Sequence, residues 1–594
     1  MINLIRNDSA AFMHMKTLLS QEQIPYRIAD CFEASTVLYV TDVLGDYLEE
    51  TTNRVMSIFY FENLLMMGPF NSQHDPGKLS AAIIEMRNQG LKNLPVILFG
   101  KKIPFRADEA SDSFLVNFIK AFDQKEELLH EYSDSLFVLS WKHNEFLRYK
   151  LIDKKPKAAA DLKQNHNDDQ RVHKIGYYDH LYDTYTANSG GVFIHRYLDL
   201  MSKHIPAFGT QLKVSSNYTE SGYGRGYSRA IAKTLSTVEA FERYAGMFNK
   251  TDAETVCSTY RQIKDQALDP RKLILHSEEE YSNPNFKLKR YDDNLKFNWI
   301  RATSLKNGKE VFIPEQAVFF GSKEKKEKEN YFLYETSNGA AVGGSIKEAI
   351  LYGLYEVIER HNFLSTWYSR AKCTEIALES AGIKEINNLN VLLKRDNKEI
   401  KLYDISADLG IPSIWALVRS KDQNAVMAAY NAAGTNLSPV KAAESALLEV
   451  CTSYPIYEYL LRHDSKIMDR AKYVIQSAER VTEFQDHVLY YSSSRNSKYL
   501  QFADNGESAK DIRDVYKNAG EPSSKGTEEY LRIVLAKLLS CFEDVLYLDI
   551  TPDFLRNEEL FCVKIIVPGM LPMTFGQQYK RTIYATHKEP HPFP

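Results

Sequence analysis

Apolar residues recur along residues 346–360 at helical spacing. Ala349, Ile350, Leu354, Val357 and Ile358 fall on adjoining faces when successive residues turn by about 100°. A small-residue loop, Ser337 to Ser345, runs straight into this segment. Set among the apolar positions are Glu348, Glu356, Glu359 and Arg360. Glu356 lies roughly 80° and Glu359 roughly 20° from Glu348 around the axis, so three carboxylates share one face. Apolar runs elsewhere predict buried strands at Ser35–Val40 and Leu94–Phe99 and a helix at Ala81–Asn88, separated by turns at Met67-Gly-Pro-Phe70 and Asp75-Pro-Gly77. Trp299–Pro314 reads as a β-hairpin about Lys306-Asn-Gly-Lys309. A further helix follows Gly434–Pro439, with Ser438 at the N-cap and Pro439 at the first helical position. It carries Glu444 and Glu449 among Ala442, Ala443, Ala446, Leu447 and Leu448. Val563–Val567 is a late strand.

Composition divides the chain. Between Asp153 and Arg171, β-branched residues give way to Lys, Ala, Asp, Asn and Gln, which marks a linker or surface helix. The pattern therefore predicts a mixed α/β (α+β) protein with an N-terminal module over 1–152, a linker over 153–176 and a main domain over 177–594. With 594 residues and 44% hydrophobic content, the chain supports more than one core. A net charge of −4 gives no basic field for nucleic acid. Apolar runs stop short of the ~20 residues a membrane span needs, and Met-Ile-Asn-Leu-Ile-Arg-Asn-Asp is not a signal sequence. The six cysteines are scattered without Cys-x-x-Cys pairs, which is the usage of a reducing cytoplasm. Lys323–Glu329 is a charge run that reads as a solvated loop.

The candidate chemistry comes from a repetition. Leu235-Ser-Thr-Val-Glu-Ala-Phe-Glu-Arg243 carries Glu239, Glu242 and Arg243 behind a Gly-rich lead-in, Gly222-Tyr-Gly-Arg-Gly226. The second helix repeats this Glu-x-x-Glu-Arg pattern with Glu356, Glu359 and Arg360. Like charges crowded on one face repel unless a cation neutralises them. Carboxylates gathered about Mg²⁺ and a nucleotide triphosphate supply a physical reason for the pattern. No Walker-type phosphate loop is present.

Taken together, these segments resemble the YcaO family over roughly Gly190 to Pro594. Leu235–Arg243 and Ser337–Arg360 are similar to its first and second signatures, and Gly434–Glu449 to its third helix. Asp549-Ile-Thr-Pro-Asp553 and Val567-Pro-Gly-Met-Leu-Pro572 are similar to its closing strand and turn. The resemblance implies an ATP site made by Glu239, Glu242, Glu348, Glu356 and Glu359, with Mg²⁺ on Glu239, Glu242, Glu356 and Glu359. Arg360 would hold phosphate, and Arg243 would share the site or brace its helix. The chain departs from the family pattern at several points. Leu235 stands where the first signature opens with Ser, and Ser236 is adjacent. Ala341 and Gly344 replace Ser and an amide. Thr452 and Tyr454 appear where the third helix continues to Gln and Arg.

The end of the sequence, Pro590-His-Pro-Phe-Pro594, has proline at alternate positions and is stiff and extended. In the azoline-forming cyclodehydratase branch, the D-type protein of thiazole/oxazole-modified microcin or thiopeptide biosynthesis, such a tail enters the active site. The resemblance thus implies catalytic roles for Pro590, Pro592 and Pro594, with the Pro594 carboxylate taking or orienting a proton. Met67-Gly-Pro-Phe70, Asp75-Pro-Gly77 and Arg87 resemble a degenerate ThiF-like module. That module commonly binds zinc through Cys-x-x-Cys pairs. The corresponding stretches, Leu79–Ile83 and Lys154–Ala159, hold no cysteine, so no zinc is expected. The short stretch before Met67 leaves no room for a winged-helix leader-binding module, so a separate ThiF-like partner is expected to bind the leader. A flavin dehydrogenase in the same pathway, a precursor peptide and a homodimer complete the implied partners.

The expected reaction is ATP-dependent cyclodehydration of Cys, Ser or Thr in a ribosomally made peptide to thiazoline or (methyl)oxazoline, through phosphorylation of the amide oxygen. Two alternatives stay open: YcaO-type thioamidation, and a non-catalytic ATP-binding scaffold subunit.

Overall fold

The computed structural model describes residues 2–5, 10–21, 23, 26–29, 36–41, 54–61, 64–67, 135–140 and 145–150 of the N-terminal part. From there it describes 170–186, 192–215, 218–249, 255–284, 286–321, 330–517, 526–582, 585 and 587–593. The chain falls into two compact units. One comprises Met1–Ala159, His180–His195 and Gln211–Glu220, and the other Ala160–Asp179, Arg196–Thr210 and Ser221–Pro594. The expected strand at 94–99, helix at 81–88, turns at 67–70 and 75–77, and charge run at 323–329 lie wholly or mostly outside the described residues, as does most of the linker.

The first unit is α/β. It holds β1 (Ile2–Ile5), α1 (Ala10–Gln21), β2 (Tyr26–Ala29), β3 (Thr36–Thr41), β4 (Arg54–Phe61), β5 (Leu64–Met67), β6 (Ser135–Ser140) and β7 (Glu145–Lys150). The sheet order is β2-β1-β3-β4-β5-β6-β7. Its first four strands are parallel and the remainder antiparallel. Helix α1 buries Phe12, Met15, Leu18 and Leu19, an i, i+3, i+6, i+7 stripe. The strand expected at 35–40 is β3.

In the second part, β8 (Phe193–Leu198) and β9 (Ala207–Ser215) precede β10 (Tyr218–Arg225), which leads into α2 (Arg229–Met247). Next come β11 (Thr255–Thr259), β12 (Lys296–Ser304), β13 (Glu310–Pro314), β14 (Ala340–Gly343) and α3 (Ile346–Ser369). Strands β15 (Thr374–Ile376), β16 (Lys398–Asp404), β17 (Ser413–Ser420) and β18 (Ala429–Thr435) lead to α4 (Pro439–His463) and α5 (Phe484–Tyr490). Helix α6 (Thr527–Cys541) and strands β19 (Leu546–Asp549) and β20 (Phe561–Ile566) complete the unit. The expected hairpin is β12–β13, antiparallel with Thr303 opposite Glu310. Its turn uses Gly308 at φ +72°, a conformation that favours glycine. The expected late strand is β20.

Two sheets frame the second unit. One runs β11-β12-β19-β20-β14 with β13 beside β12, and the other runs β15-β16-β17-β18. Helix α3 is apolar around most of its circumference, as a helix enclosed on several sides must be. Its N-terminal half (Ala349, Leu351, Leu354, Ile358) shares a core with Val563 and Ile565 of β20. Its C-terminal half (Phe363, Leu364, Trp367) shares another with Trp415, Leu417 and Ala433. Glu356, Glu359 and Arg360 fall where these two cores meet. Among the described residues, no helix is long and apolar enough to cross a membrane.

Helices α2, α3 and α4 begin alike. A small-residue strand turns through a serine N-cap whose hydroxyl accepts a backbone N–H three residues on: Ser228 from Ile231, Ser345 from Glu348, and Ser438 from Lys441. Each strand carries a glycine pressed against the helix it feeds. A Cβ on Gly224 would collide with the Ala232 and Ser236 backbone, one on Gly343 with Ala349 N, and one on Gly434 with Ala442 O. The Gly-rich lead-in is therefore a packing device, because only glycine lets strand and helix backbones approach this closely. Gly224→Ala is expected to cost about 1–3 kcal/mol or more, since the obstructing atoms are backbone. Thermal unfolding measures it, and an unchanged midpoint would show that β10 does not lie against α2.

Candidate active site

Helices α2 and α3 direct their Glu-x-x-Glu-Arg segments at one another. Glu242 is held well above the usual carboxylate range by burial, then by the charges of Glu356 and Glu239. Glu356 is also raised by burial, against the opposing pull of Arg360, Arg243 and Lys564. Burial pushes Glu359 up to about 8, with Glu449 of α4 and Glu356 adding to the effect and Arg360 opposing it. Each carboxylate accepts one backbone N–H: Glu242 from Val342, Glu356 from Gly339, and Glu359 from Thr435. The strand and loop ends before α3 and α4 thus fix the carboxylates of α2 and α3. The Glu356 and Glu359 side chains keep 24% and 13% of their surface, so the cluster is reachable from solvent.

Cations border the cluster. Arg243 donates to Glu239 at 3.2 Å and to the Ser337 hydroxyl at 3.4 Å, which links α2 to the loop before α3. Arg360 donates to Glu359 at 2.6 Å and lies 3.7 Å from Glu356. Lys564, only 1% exposed, donates to the carbonyls of Thr336 and Asn338 at 3.0 and 2.6 Å and is 3.8 Å from Glu335. Arg225 of β10 pairs with Glu449 at 3.6 Å. Arg225 and Lys564 were not singled out in the sequence. Lys564 had a signal, a lone lysine inside an apolar strand.

Glu348 is placed differently. It sits in the first turn of α3, about 12 Å along the axis from Glu356. Its carboxylate accepts the Val172 N–H at 2.7 Å and stands 3.8 Å from Arg171. The departures at the third helix also have a structural outcome. The Thr452 hydroxyl bonds back to the Leu448 and Glu449 carbonyls, and the buried Tyr454 hydroxyl donates to Met427 O at 2.6 Å. Neither turns toward the carboxylates. Ser236, beside Leu235, is likewise buried and bonded to Thr210.

The tail lies in a buried groove. The Pro590 carbonyl accepts from the Tyr491 hydroxyl at 2.5 Å, and the Pro592 carbonyl from Asn431 Nδ2 at 3.5 Å. His487 Nε2 accepts the Gly576 N–H at 2.8 Å, so its Nδ1 carries the proton donated to the His591 carbonyl at 2.7 Å. The His487 and His591 rings stack at 4.1 Å. Phe593 is 1% exposed, edge-on to Phe363, with the Arg360 guanidinium 4.1 Å over its face. Proline removes the backbone donor at residues 590 and 592. The carbonyls of the tail remain acceptors, and side-chain donors read three of them in succession. Pro594 lies outside the described residues.

The donor set suits Mg²⁺ and phosphate. Carboxylate oxygens ligate Mg²⁺, which is usually held by one or two carboxylates together with phosphate oxygens. Among the described residues, no three His, Cys, Asp or Glu side chains close into a metal cage by themselves.

A family model described as YcaO cyclodehydratase, ATP- and Mg²⁺-binding, matches residues 223–571. The chain belongs to the YcaO family. An uncharacterized protein of Methanothermobacter thermautotrophicus is 28% identical over 371 residues, 62% of this chain and 86% of that protein. A heterocyclase solved in complex with substrate and cofactor superposes with a TM-score of 0.64 at 17% identity, over 98% of this chain and 81% of that one. The heterocyclase TruD superposes with a TM-score of 0.56 at 17% identity, over 98% and 80%. At this identity the likeness is one of fold: a YcaO domain preceded by further α/β structure.

The raised acidity of Glu359 has a consequence for stability. Below pH 4.5 its carboxyl is protonated in both folded and unfolded chains. Between 4.5 and about 8 the unfolded chain ionises while the folded protein keeps the proton, so stability falls as pH rises. Glu359→Gln is expected to flatten this decline and to raise the melting temperature of nucleotide-free protein near pH 8, a gain on the order of a few kcal/mol at most. Melting curves from pH 5 to 8 that superpose for the two proteins would contradict the crowding of this site.

Proposed function

We propose that this YcaO protein converts Cys, Ser or Thr residues of a ribosomally made peptide into thiazolines or oxazolines. The position of the tail carries this reading: residues 587–593 lead into the groove, and Phe593 ends against Arg360, which is bonded to Glu359. A tail directed at the acidic cluster is what the azoline-forming branch requires.

In the proposed reaction, the substrate thiol or hydroxyl adds to the preceding amide carbon and loses its proton, leaving a five-membered ring with an oxyanion. The oxyanion attacks the γ-phosphorus of ATP and ADP leaves. The ring nitrogen then expels phosphate and loses its N–H proton, forming the C=N bond. Mg²⁺, when bound, draws negative charge from the β- and γ-phosphates. Glu239, Glu242, Glu356 and Glu359 hold it, and Arg360 orients phosphate on the tail side. Glu348, in the first turn of α3, faces the nucleotide with the other four glutamates. Pro590 and Pro592 set the path of the tail, and Pro594, which follows Phe593, is the residue this reading places beside the reacting carbonyl. Leader recognition belongs to a separate ThiF-like partner, and oxidation to azoles to a flavin dehydrogenase. The protein acts in the cytoplasm as a homodimer.

Incubation with precursor peptide, partner and MgATP tests this function. Loss of one water mass per ring, with matching phosphate release, is the expected result. A mass gain corresponding to oxygen-to-sulfur exchange would establish thioamidation instead, and nucleotide binding without turnover would establish a scaffold. Removing residues 590–594 is expected to lower cyclisation by on the order of 10²-fold or more while leaving nucleotide affinity within a few-fold. Full cyclisation by the truncated protein would remove the tail from the mechanism. Because Glu359 holds its proton to about pH 8, MgATP binding at pH 7 is expected to release a proton. Titration calorimetry in buffers of different ionisation enthalpy detects this release, which Glu359→Gln should diminish.

A further inference from the structure

This inference rests on the role of the tail proposed above and concerns two residues outside its prolines. Glycine is the usual residue where a helix ends in the left-handed conformation. Helix α3 ends that way on Arg370, at φ 56° and ψ 36°. A strained residue persists where the surrounding structure holds its side chain. Arg370 Nη1 donates to the Tyr499 carbonyl at 2.9 Å, and the guanidinium stacks on Trp367 at 4.0 Å and Phe502 at 4.7 Å. So placed, Nη2 donates to the Glu589 carboxylate at 3.2 Å.

Glu589 stands at the mouth of the tail groove. Its side chain keeps 22% of its surface, whereas Pro590, His591, Pro592 and Phe593 are all buried. Glu589 also lies 3.0 Å from His587 Nδ1, and His587 Nε2 donates to the Trp367 carbonyl at 2.9 Å. Four residues beyond Glu589, Phe593 meets Phe363 and Arg360. The tail therefore runs back along α3, from residue 370 toward residue 360. Arg360, Phe363, Trp367 and Arg370 fall within about 80° of one another around the axis, so one stripe of α3 carries the docked segment. The lengths agree: ten helical residues rise about 15 Å, and four extended residues reach about 12 Å. Glu356 and Glu359 belong to the same helix, so tail and carboxylates are held to one rigid element. Inside the groove, residues 590–592 are held by hydrogen bonds to their carbonyls. At its entrance the hold is an ion pair. We propose that Arg370 and Glu589 are positioning residues, whose ion pair sets how far the tail reaches and so where its last residue stands against the reacting carbonyl. A pair that merely closed the end of α3 would, on removal, lower the melting temperature and leave the turnover of folded protein unchanged.

The test is steady-state cyclisation with precursor peptide, partner and MgATP, alongside nucleotide titration and thermal melting. The proteins are wild type, Glu589→Gln, Glu589→Asp, Arg370→Gln, the Arg370→Gln/Glu589→Gln double variant and a truncation lacking residues 590–594. Glu589→Gln is expected to lower kcat by about tenfold or more, since small misplacements of a positioned group are costly, while peptide KM and nucleotide affinity stay within about threefold. Glu589→Asp, which keeps the charge on a shorter stem, should recover part of the loss. The double variant should be about as slow as the slower single variant, because both remove one contact. Wild-type kcat for Glu589→Gln, losses that multiply in the double variant, or a fall in nucleotide affinity equal to the fall in kcat would each overturn the assignment. If Arg370→Gln does not fold, the Glu589 variants decide, because Glu589 is partly exposed and lies outside α3. Slow turnover by the truncated protein with full turnover by Glu589→Gln would strike the positioning pair alone. Full cyclisation by the truncated protein would strike the proposed role of the tail, and the pair with it.

Discussion

Burial of Glu242, Glu356 and Glu359, with other carboxylates close by, is the constraint on which the rest of the second unit depends. Carboxylates brought this close do not all ionise unless cations share the space. The structure supplies fixed cations around the edge and one backbone N–H to each of Glu242, Glu356 and Glu359. These contacts do not offset burial and the neighbouring carboxylates, and Glu359 retains its proton to about pH 8. Keeping Glu359 protonated costs stability above the ordinary carboxylate range, and the proposed function supplies a divalent cation with phosphate to relieve it. Such stored instability persists only where surrounding structure over-determines the geometry.

That surrounding structure consists of the repeated strand, serine cap and helix. Each of α2, α3 and α4 starts from a fixed point because its capping serine and its strand glycine leave a single close-packed arrangement. Errors in carboxylate position would grow with distance along a helix whose start could slide. Glu356 and Glu359 lie about three turns into α3, so the rigidity of the first turn carries through to the site. Glu348 contributes at that first turn, where Val172 and Arg171 hold its carboxylate.

Sequence periodicity exposed α3, the β12–β13 hairpin, the start of α4 and β20, because each is marked by local signals: apolar spacing, an Asn-Gly turn or a Ser-Pro cap. The repeated Glu-x-x-Glu-Arg exposed the acidic residues for the same reason. Arg225 and Lys564 were not legible as neighbours of the cluster. Their contacts arise from strands whose partners are distant in sequence: Arg225 of β10 pairs with Glu449 of α4, and Lys564 of β20 bonds to the loop before α3. The grouping of Glu348 with Glu356 and Glu359 on one face was correct as helical geometry. In the ligand-free protein the Glu348 carboxylate is engaged by Val172 and Arg171, a contact that no local pattern announces. Thr452 and Tyr454 were visible as departures, but only the fold shows that the Tyr454 hydroxyl is spent on Met427.

The tail completes the argument because it reverses an expectation about proline. Proline removes backbone donors, so an alternating proline segment cannot join a sheet as a full strand. It can still be read through its carbonyls, and only by side chains or by backbone N–H groups brought to it. Tyr491, His487 and Asn431 serve the carbonyls of residues 590, 591 and 592 in sequence order. A slip of one residue would exchange a proline ring for the imidazole of His591, which is stacked on His487 and bonded to Thr574 at 2.7 Å. Register is therefore fixed by side chains. The stiffness of the segment means that little conformational entropy is lost on docking. Phe593 then stacks against the Arg360 guanidinium, which is also bonded to Glu359. One guanidinium thus joins the end of the docked segment to the carboxylates, so two features far apart in the sequence act on the same point in space.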